Sequence, residues 1–199
     1  MLIDLVRHGE TQATGRLIGR ADVPLSDAGW QQFERATKDL AYDAVVASPR
    51  QRARLPAEAL ASARNLPLRI DADWAELDFG EWDGCVVAEL EADTATAAAL
   101  AALYRSPDAT AAPGGENWRA LQTRVRSAMD SLLALHGERS RVLVSTHAGP
   151  MRAALAHACA IPFANLWAFR IGFGTRITLR AGCDANSGLW GEVVELVQT

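Results

Sequence analysis

The chain is predicted to fold as a three-layer αβα sandwich, an α/β protein whose mostly parallel central sheet carries an antiparallel edge. Two observations predict it. Short strand-like runs at residues 2–6, 44–47, 68–70 and 142–145 are separated by segments of helical periodicity. That alternation belongs to a parallel sheet covered by helices on both faces. Towards the C-terminus the pattern changes to alternating runs at residues 167–171, 176–179 and 192–197, which read as antiparallel strands closing the sheet.

The first strand, Leu2-Ile3-Asp4-Leu5-Val6, runs straight into Arg7-His8-Gly9-Glu10-Thr11. Open α/β sheets place their chemistry at the carboxyl ends of strands, so this segment is the first candidate site. Histidine can attack phosphorus through one ring nitrogen when a hydrogen bond at the other fixes its neutral tautomer. An adjacent arginine can neutralise phosphoryl oxygens. A strand-end histidine bonded to backbone beside a surface arginine has the same sequence, and both readings stand at this point.

Ser26 or Asp27 is the N-cap of the first helix, which sets Trp30, Phe33, Ala36 and Leu40 on one face towards the core. After the second strand, Ser48-Pro49-Arg50-Gln51-Arg52-Ala53 opens the next helix. Arginines at a helix start oppose the helix dipole, so Arg52 is expected to be kept for an anion while Arg50 and Arg54 face water. Pro56 removes the helical hydrogen bond to the Arg52 carbonyl and predicts a kink.

Beyond the short strand at 68–70 lies Ala75-Glu76-Leu77-Asp78-Phe79-Gly80-Glu81-Trp82-Asp83-Gly84, with four carboxylates among aromatics and glycines and no structural period. A carboxylic acid against apolar rings can hold its proton and give it to a leaving alkoxide. Composition does not choose among Glu76, Asp78, Glu81 and Asp83. Residues 86–112 are rich in alanine and read as a helical insertion over the sheet edge and the site.

The turn Pro113-Gly114-Gly115 opens a longer helix carrying Trp118, Leu121, Val125, Leu132 and Leu133 and ending near Gly137. Its aromatic residue, like those of the first helix, is assigned to the core. The strand at 142–145 then leads to His147-Ala148-Gly149-Pro150 and a further helix, repeating the geometry of the first motif. Two strand-end histidines can thus converge at one sheet edge, beside helix N-termini that offer N–H donors to an anion. A capping histidine in an ordinary turn is the other reading.

A chain of 199 residues with 49% hydrophobic content suits one compact domain. A net charge of −4 and a pI near 5.6 supply no basic stripe for nucleic acid. No apolar run reaches the roughly 20 residues that a bilayer span requires. An anionic substrate must therefore be held by local arginines. The cysteines, Cys85, Cys159 and Cys183, are odd in number and form no CxxC pair, which predicts reduced thiols and no metal site. A cleaved leader would remove residue 8, and Asp4, Arg7 and Glu10 interrupt any apolar leader core, so the cytoplasm is the expected compartment.

Five motifs in order resemble the histidine phosphatase superfamily, also called phosphoglycerate-mutase-like. They are Arg7-His8-Gly9-Glu10-Thr11; Ser48-Pro49 with Arg52-Ala53; Glu76 with Phe79-Gly80, Trp82 and Gly84; Pro113-Gly114-Gly115-Glu116; and Thr146-His147-Ala148-Gly149. The resemblance covers almost the whole chain. It implies His8 as a phosphohistidine nucleophile and Glu76 as proton donor to the leaving group and later the base for water. It also implies Arg7, Arg52 and His147 as a phosphate clamp, with Thr14 and Ala148 as further phosphate contacts, and no metal or organic cofactor.

Within the superfamily, the stretch from His147 to Ala156 followed by Ile161-Pro162, and the short linker from Thr11 to Pro24, are similar to the α-ribazole phosphatases of cobalamin biosynthesis. This implies a phosphomonoesterase acting on α-ribazole 5′-phosphate or adenosylcobalamin 5′-phosphate. Phosphoglycerate mutases carry a longer region after the first motif and insertions for a second phosphate or carboxylate, which are missing here. A mutase, a broad-specificity sugar or nucleotide phosphatase, and an inactive phospho-ligand binding module are the alternatives. The expected partner is a small phosphorylated substrate, with no nucleic acid or membrane, and the expected state is monomer or homodimer.

The chain departs from the family pattern at Thr14, where asparagine is common, at Pro56, where threonine is common, and at Asn117, where serine is usual. Asparagine is as good an N-cap as serine. The leaving group is expected to be chosen by residues 86–112, Trp118 and the linker 16–22 at the pocket rim.

Overall fold

The computed structural model describes residues 1–184 and 188–199. Its strands are β1 (Leu2–Arg7), β2 (Ala44–Ala47), β3 (Leu68–Ile70), β4 (Arg141–Thr146), β5 (Arg176–Asp184) and β6 (Gly188–Val197). Among the described residues they form one sheet in the order β3-β2-β4-β1-β5-β6. The pairs within β3-β2-β4-β1 are parallel, and β5 and β6 are added antiparallel. The expected α/β class, mostly parallel with an antiparallel edge, is what the sheet shows.

Side chains alternate across a strand, and each face of this sheet has its own core. Ile3 and Leu5 of β1 lie with Val142 and Val144 of β4 on one face, where helices α5 (Trp118–Leu135) and α6 (Ala148–Ala158) add Leu121, Val125, Met129, Met151 and Leu155. Val6, Val45, Ala47 and Leu143 point the other way, onto Phe33 and Ala36 of α1 (Asp27–Thr37) and Ala57 and Ala61 of α2 (Gln51–Arg64). Two further helices, α3 (Val87–Ala92) and α4 (Thr94–Leu103), occupy the alanine-rich segment.

Ser26 is the N-cap of α1, its hydroxyl accepting from Gly29 N at 3.1 Å. Asn117 caps α5 by accepting from Ala120 N at 2.9 Å. Trp30 corrects the expected core face: it is 40% exposed. The reason is a backbone contact. Gly29 packs so closely on the first motif that a Cβ there would lie 2.1 Å from Glu10 O, which turns Gly29, Phe33 and Ala36 inward and Trp30, about 100° round the helix from Gly29, outward. Leu40 lies beyond the end of α1, and α2 runs through Pro56 as one helix.

The segment 167–171 is also corrected, because no strand forms there. Residues Phe163–Ala168 make a 3-10 helix, and the carbonyls that a neighbouring strand would have taken are used by arginines. Arg152 Nη2 donates to Phe169 O at 3.3 Å, and Arg7 Nη1 to Ile171 O at 2.8 Å. Among the described residues no helix is long and apolar enough to cross a membrane.

The sheet register positions the site. In the parallel pair β1·β4, Arg7 stands opposite Thr146, so the next residues, His8 and His147, leave the sheet side by side. His8 N donates to Thr146 O at 2.9 Å. Ala47 of β2 is opposite Ser145, which brings Ser48 to the same edge.

Candidate active site

His8 and His147 meet edge to face, with ring centroids 5.1 Å apart and planes at 66°. Nδ1 of His8 lies 2.7 Å from Gly9 O. A carbonyl only accepts, so Nδ1 carries the proton and Nε2 keeps its lone pair. Burial, then the charges of Arg52 and Arg7, push His8 well below the usual histidine range, outweighing the opposing hydrogen bond to Gly9. His147 is pushed down by burial, and then by Arg52, His8 and Arg7. Its Nε2 is 2.7 Å from Ser48 Oγ, while its Nδ1 is buried with no partner among the described residues. Both imidazoles are therefore neutral at pH 7.

Arg7 ends β1, with its guanidinium 4.1 Å above the Phe173 ring. Arg52, in the first turn of α2, is fully buried. Its Nη1 donates to Ala21 O at 2.8 Å and its Nη2 to Gly19 O at 2.8 Å, while Nε has no partner among the described residues. Burial brings Arg52 down to about 10, against the opposing charge of Glu76, so it is cationic at neutral pH. Arg50 and Arg54, expected to face water, are half-buried, and Arg54 pairs with Glu58 one turn on.

The four carboxylates of the 75–84 loop have four different surroundings. Glu76 is buried against the cavity, and its Oε1 accepts from Leu77 N and Gly149 N, both at 3.0 Å. Asp78 accepts from Gly80 N at 3.0 Å and pairs with Arg20 at 3.2 Å. Asp83 accepts from the backbone of Gly19, Arg20 and Ala21. Glu81 is exposed. The loop is shaped by Arg124 of α5, which donates to the carbonyls of Asp73, Ala75 and Glu76 and is held by both oxygens of Glu116.

These groups surround a cavity of about 370 Å³, within the small-ligand range. Arg7, His8, Thr14, Glu76 and Ala148 line it, Thr14 from an exposed position at the mouth. Arg52 and His147 stand behind that wall and are fully buried. From the expected rim come Arg16, Leu17, Ile18 and Trp118, and from residues 86–112 comes Tyr104.

Sequence reasoning missed Arg152, Trp167 and Phe173, which also line the cavity. Arg152 lies four residues after Ala148 on one helix face, a spacing that was open to view. Its guanidinium sits 4.8 Å from the Trp167 ring centroid, and it has no carboxylate partner among the described residues. Phe173 follows Gly172 in an irregular stretch and carries no local signal. Together, a free imidazole nitrogen, fixed cations and a buried carboxyl around one cavity can pass a phosphoryl group from an ester to histidine and on to water.

Residues 3–185 match the model of the histidine phosphatase superfamily, branch 1, and the chain belongs to that superfamily. A bifunctional protein of Mycobacterium tuberculosis is 35% identical over 155 residues, 74% of this chain and 41% of that protein. The chain thus spans about two fifths of the length of the first curated relatives it matches. The adenosylcobalamin/alpha-ribazole phosphatase of Salmonella typhimurium is 29% identical over 180 residues, 87% of each chain. Among solved structures, a mycobacterial glucosyl-3-phosphoglycerate phosphatase in complex with VO3 superposes with a TM-score of 0.86 at 25% identity, covering 98% of this chain and 97% of that one.

Proposed function

We propose that the chain is a phosphoric monoester hydrolase that works through a phosphohistidine on His8. The observation that carries this is the 2.7 Å contact of His8 Nδ1 with Gly9 O, which leaves Nε2 as an unprotonated nucleophile at the cavity. His8 Nε2 attacks phosphorus in line with the ester oxygen. The P–O bond breaks as the N–P bond forms, and Glu76 gives its proton to the departing oxygen. A water then attacks phosphorus, its proton passes to Glu76, and phosphate leaves with His8 restored. Arg7, Arg52 and His147 stabilise the phosphoryl charge, Thr14 offers a hydroxyl, and Ala148 offers its N–H at the start of α6.

The test is His8→Ala, which is expected to abolish both turnover and the phosphoenzyme trapped by rapid acid quench. Glu76→Gln is expected to slow release most for poor leaving groups. Hydrolysis by His8→Ala at the parent rate would overturn the mechanism.

As substrate we assign α-ribazole 5′-phosphate or the related adenosylcobalamin 5′-phosphate. Support comes from the run His147 to Ala156, from the Salmonella relative matching over 87% of both chains, and from a wall of Tyr104, Trp118 and Trp167 that suits a planar base. One observation favours a second reading, an ester whose leaving group carries a carboxylate: the cavity-lining Arg152 pairs with no carboxylate among the described residues. A phosphate-release screen of α-ribazole phosphate, sugar phosphates, nucleotides and phosphoglycerates separates the two. Mutase activity with and without a bisphosphate primer tests the isomerase alternative. The same reading makes the protein a cytoplasmic monomer or homodimer acting on small phosphate esters.

A further inference from the structure

We propose that Asp83 is a positioning residue of the phosphate site, acting on Arg52 through the backbone of residues 18–21. Arg52 Nη1 reaches Ala21 O at 2.8 Å, and Nη2 reaches Gly19 O at 2.8 Å and Ile18 O at 3.3 Å. Three carbonyls of one short segment face a single guanidinium when the adjoining N–H groups are turned away, and those N–H groups need partners of their own. Asp83 supplies them for the Ile18–Gly19 and Gly19–Arg20 peptides and also takes the next N–H, that of Ala21. Its Oδ1 accepts from Gly19 N at 2.8 Å, and its Oδ2 from Arg20 N and Ala21 N, both at 2.7 Å.

Two peptide units, 18–19 and 19–20, thus lie between an anion and a cation with N–H ends towards Asp83 and C=O ends towards Arg52, and Ala21 extends this layer with its own N–H on Asp83 and its own C=O on Arg52. Hydrogen bonds to a carboxylate are roughly twice as strong as neutral ones, so Asp83 fixes the layer firmly. Gly19 pins it from another side: a Cβ there would lie 2.3 Å from Leu77 O, next to Glu76. The layer therefore sets where the Arg52 charge stands relative to His8 and to the loop that carries Glu76. Asp83 does not line the cavity, so its effect on the phosphate site passes through the backbone it holds.

The inference rests on Arg52 as part of the phosphate site, as proposed above. Misplacing a group of this kind by about 1 Å costs about 10²-fold in rate. The experiment compares the parent, Asp83→Asn, Arg52→Ala and the double variant for kcat and KM on p-nitrophenyl phosphate, and for equilibrium binding of orthovanadate by calorimetry. Glu81→Gln, an exposed acid of the same loop, is the control and is expected to match the parent.

Asp83→Asn is expected to lower kcat about 10²-fold and weaken vanadate binding by a similar factor, with a smaller change in KM. The double variant is expected to lie within about twofold of Arg52→Ala alone, the mark of two residues acting as one unit. Additive losses in the double variant, or parent-like kcat and vanadate affinity in Asp83→Asn, overturn the proposal. If Asp83→Asn does not fold, Asp83→Glu, which moves the carboxylate by one methylene, must show the same non-additivity. The vanadate cycle reads the Asp83 to Arg52 coupling without turnover, so its failure is distinct from that of the phosphohistidine mechanism, which the His8→Ala experiment reads.

Discussion

The two buried imidazoles tie stability to pH. Burial and the neighbouring guanidinium groups hold His8 and His147 well below 6.5 in the folded chain, and unfolding returns them to about 6.5. Between those values the unfolded chain binds more protons, so stability is lost as pH falls below about 6.5, by up to about 1.4 kcal/mol per pH unit for each imidazole. Urea unfolding at a series of pH values from neutral to mildly acidic measures the slope, and His147→Asn is expected to remove one imidazole's share of it. Glu76 is held with comparable tightness. A Cβ on Gly149 would lie 2.3 Å from Glu76 Oε1, so Gly149→Ala must displace the carboxyl and break its 3.0 Å bond to the Gly149 N–H. The expected outcome is a kcat lower by about 10²-fold with phosphate affinity largely kept, read by steady-state kinetics and phosphate inhibition.

At the level of elements, the site is a junction of strand ends and helix starts, and close backbone approaches hold the junction together. The loop after β1 touches the first turn of α1 backbone to backbone: Cβ atoms added at Gly9 and Gly29 would lie 2.0 Å from Gly29 O and 2.1 Å from Glu10 O. Gly29→Ala therefore pushes α1 off the loop that carries His8. It is expected to lower stability by about 1–3 kcal/mol, the range for overpacking, and to reduce kcat as well, which separates it from an ordinary surface glycine. Thermal unfolding and kinetics on the same preparation check both effects. The α5 helix plays a similar part for the acid, because Arg124 gathers the carbonyls of Asp73, Ala75 and Glu76 into the turn that aims Glu76.

Across the whole molecule, the sheet carries a second charged cluster away from the cavity. Asp4, fully buried in the middle of β1, accepts from Arg141 Nε at 2.5 Å, Arg176 Nη1 at 3.3 Å and Thr178 Oγ1 at 2.5 Å, linking β1 to β4 and β5. Removing one partner of a buried ion cluster leaves the others uncompensated, so Asp4→Ala is expected to cost about 3–5 kcal/mol. Because none of the four lines the cavity, kcat/KM of the folded fraction is expected to stay at the parent value. A chemical-denaturation curve and kinetics well below the unfolding midpoint test the two halves separately.

The sequence by itself determined what local pattern and chemistry control. Apolar runs ending in Arg7-His8 and Thr146-His147 announced strand ends with candidate chemistry, and Ser26 and Asn117 marked helix starts, because caps and strand ends are written within a few residues. Composition left four nearby acids open, and the motif resemblance pointed to Glu76. The tertiary structure shows Glu76 lining the cavity, while Asp78 pairs with Arg20, Asp83 binds the backbone of residues 19–21 and Glu81 is exposed. Tertiary structure also turned Trp30 outward through the contact between Gly29 and Glu10, and left residues 167–171 outside the sheet, with the carbonyls of Phe169 and Ile171 bound by arginines. Period and capping are properties of neighbours in sequence, whereas hydrogen-bond partners tens of residues away are set by how the layers close.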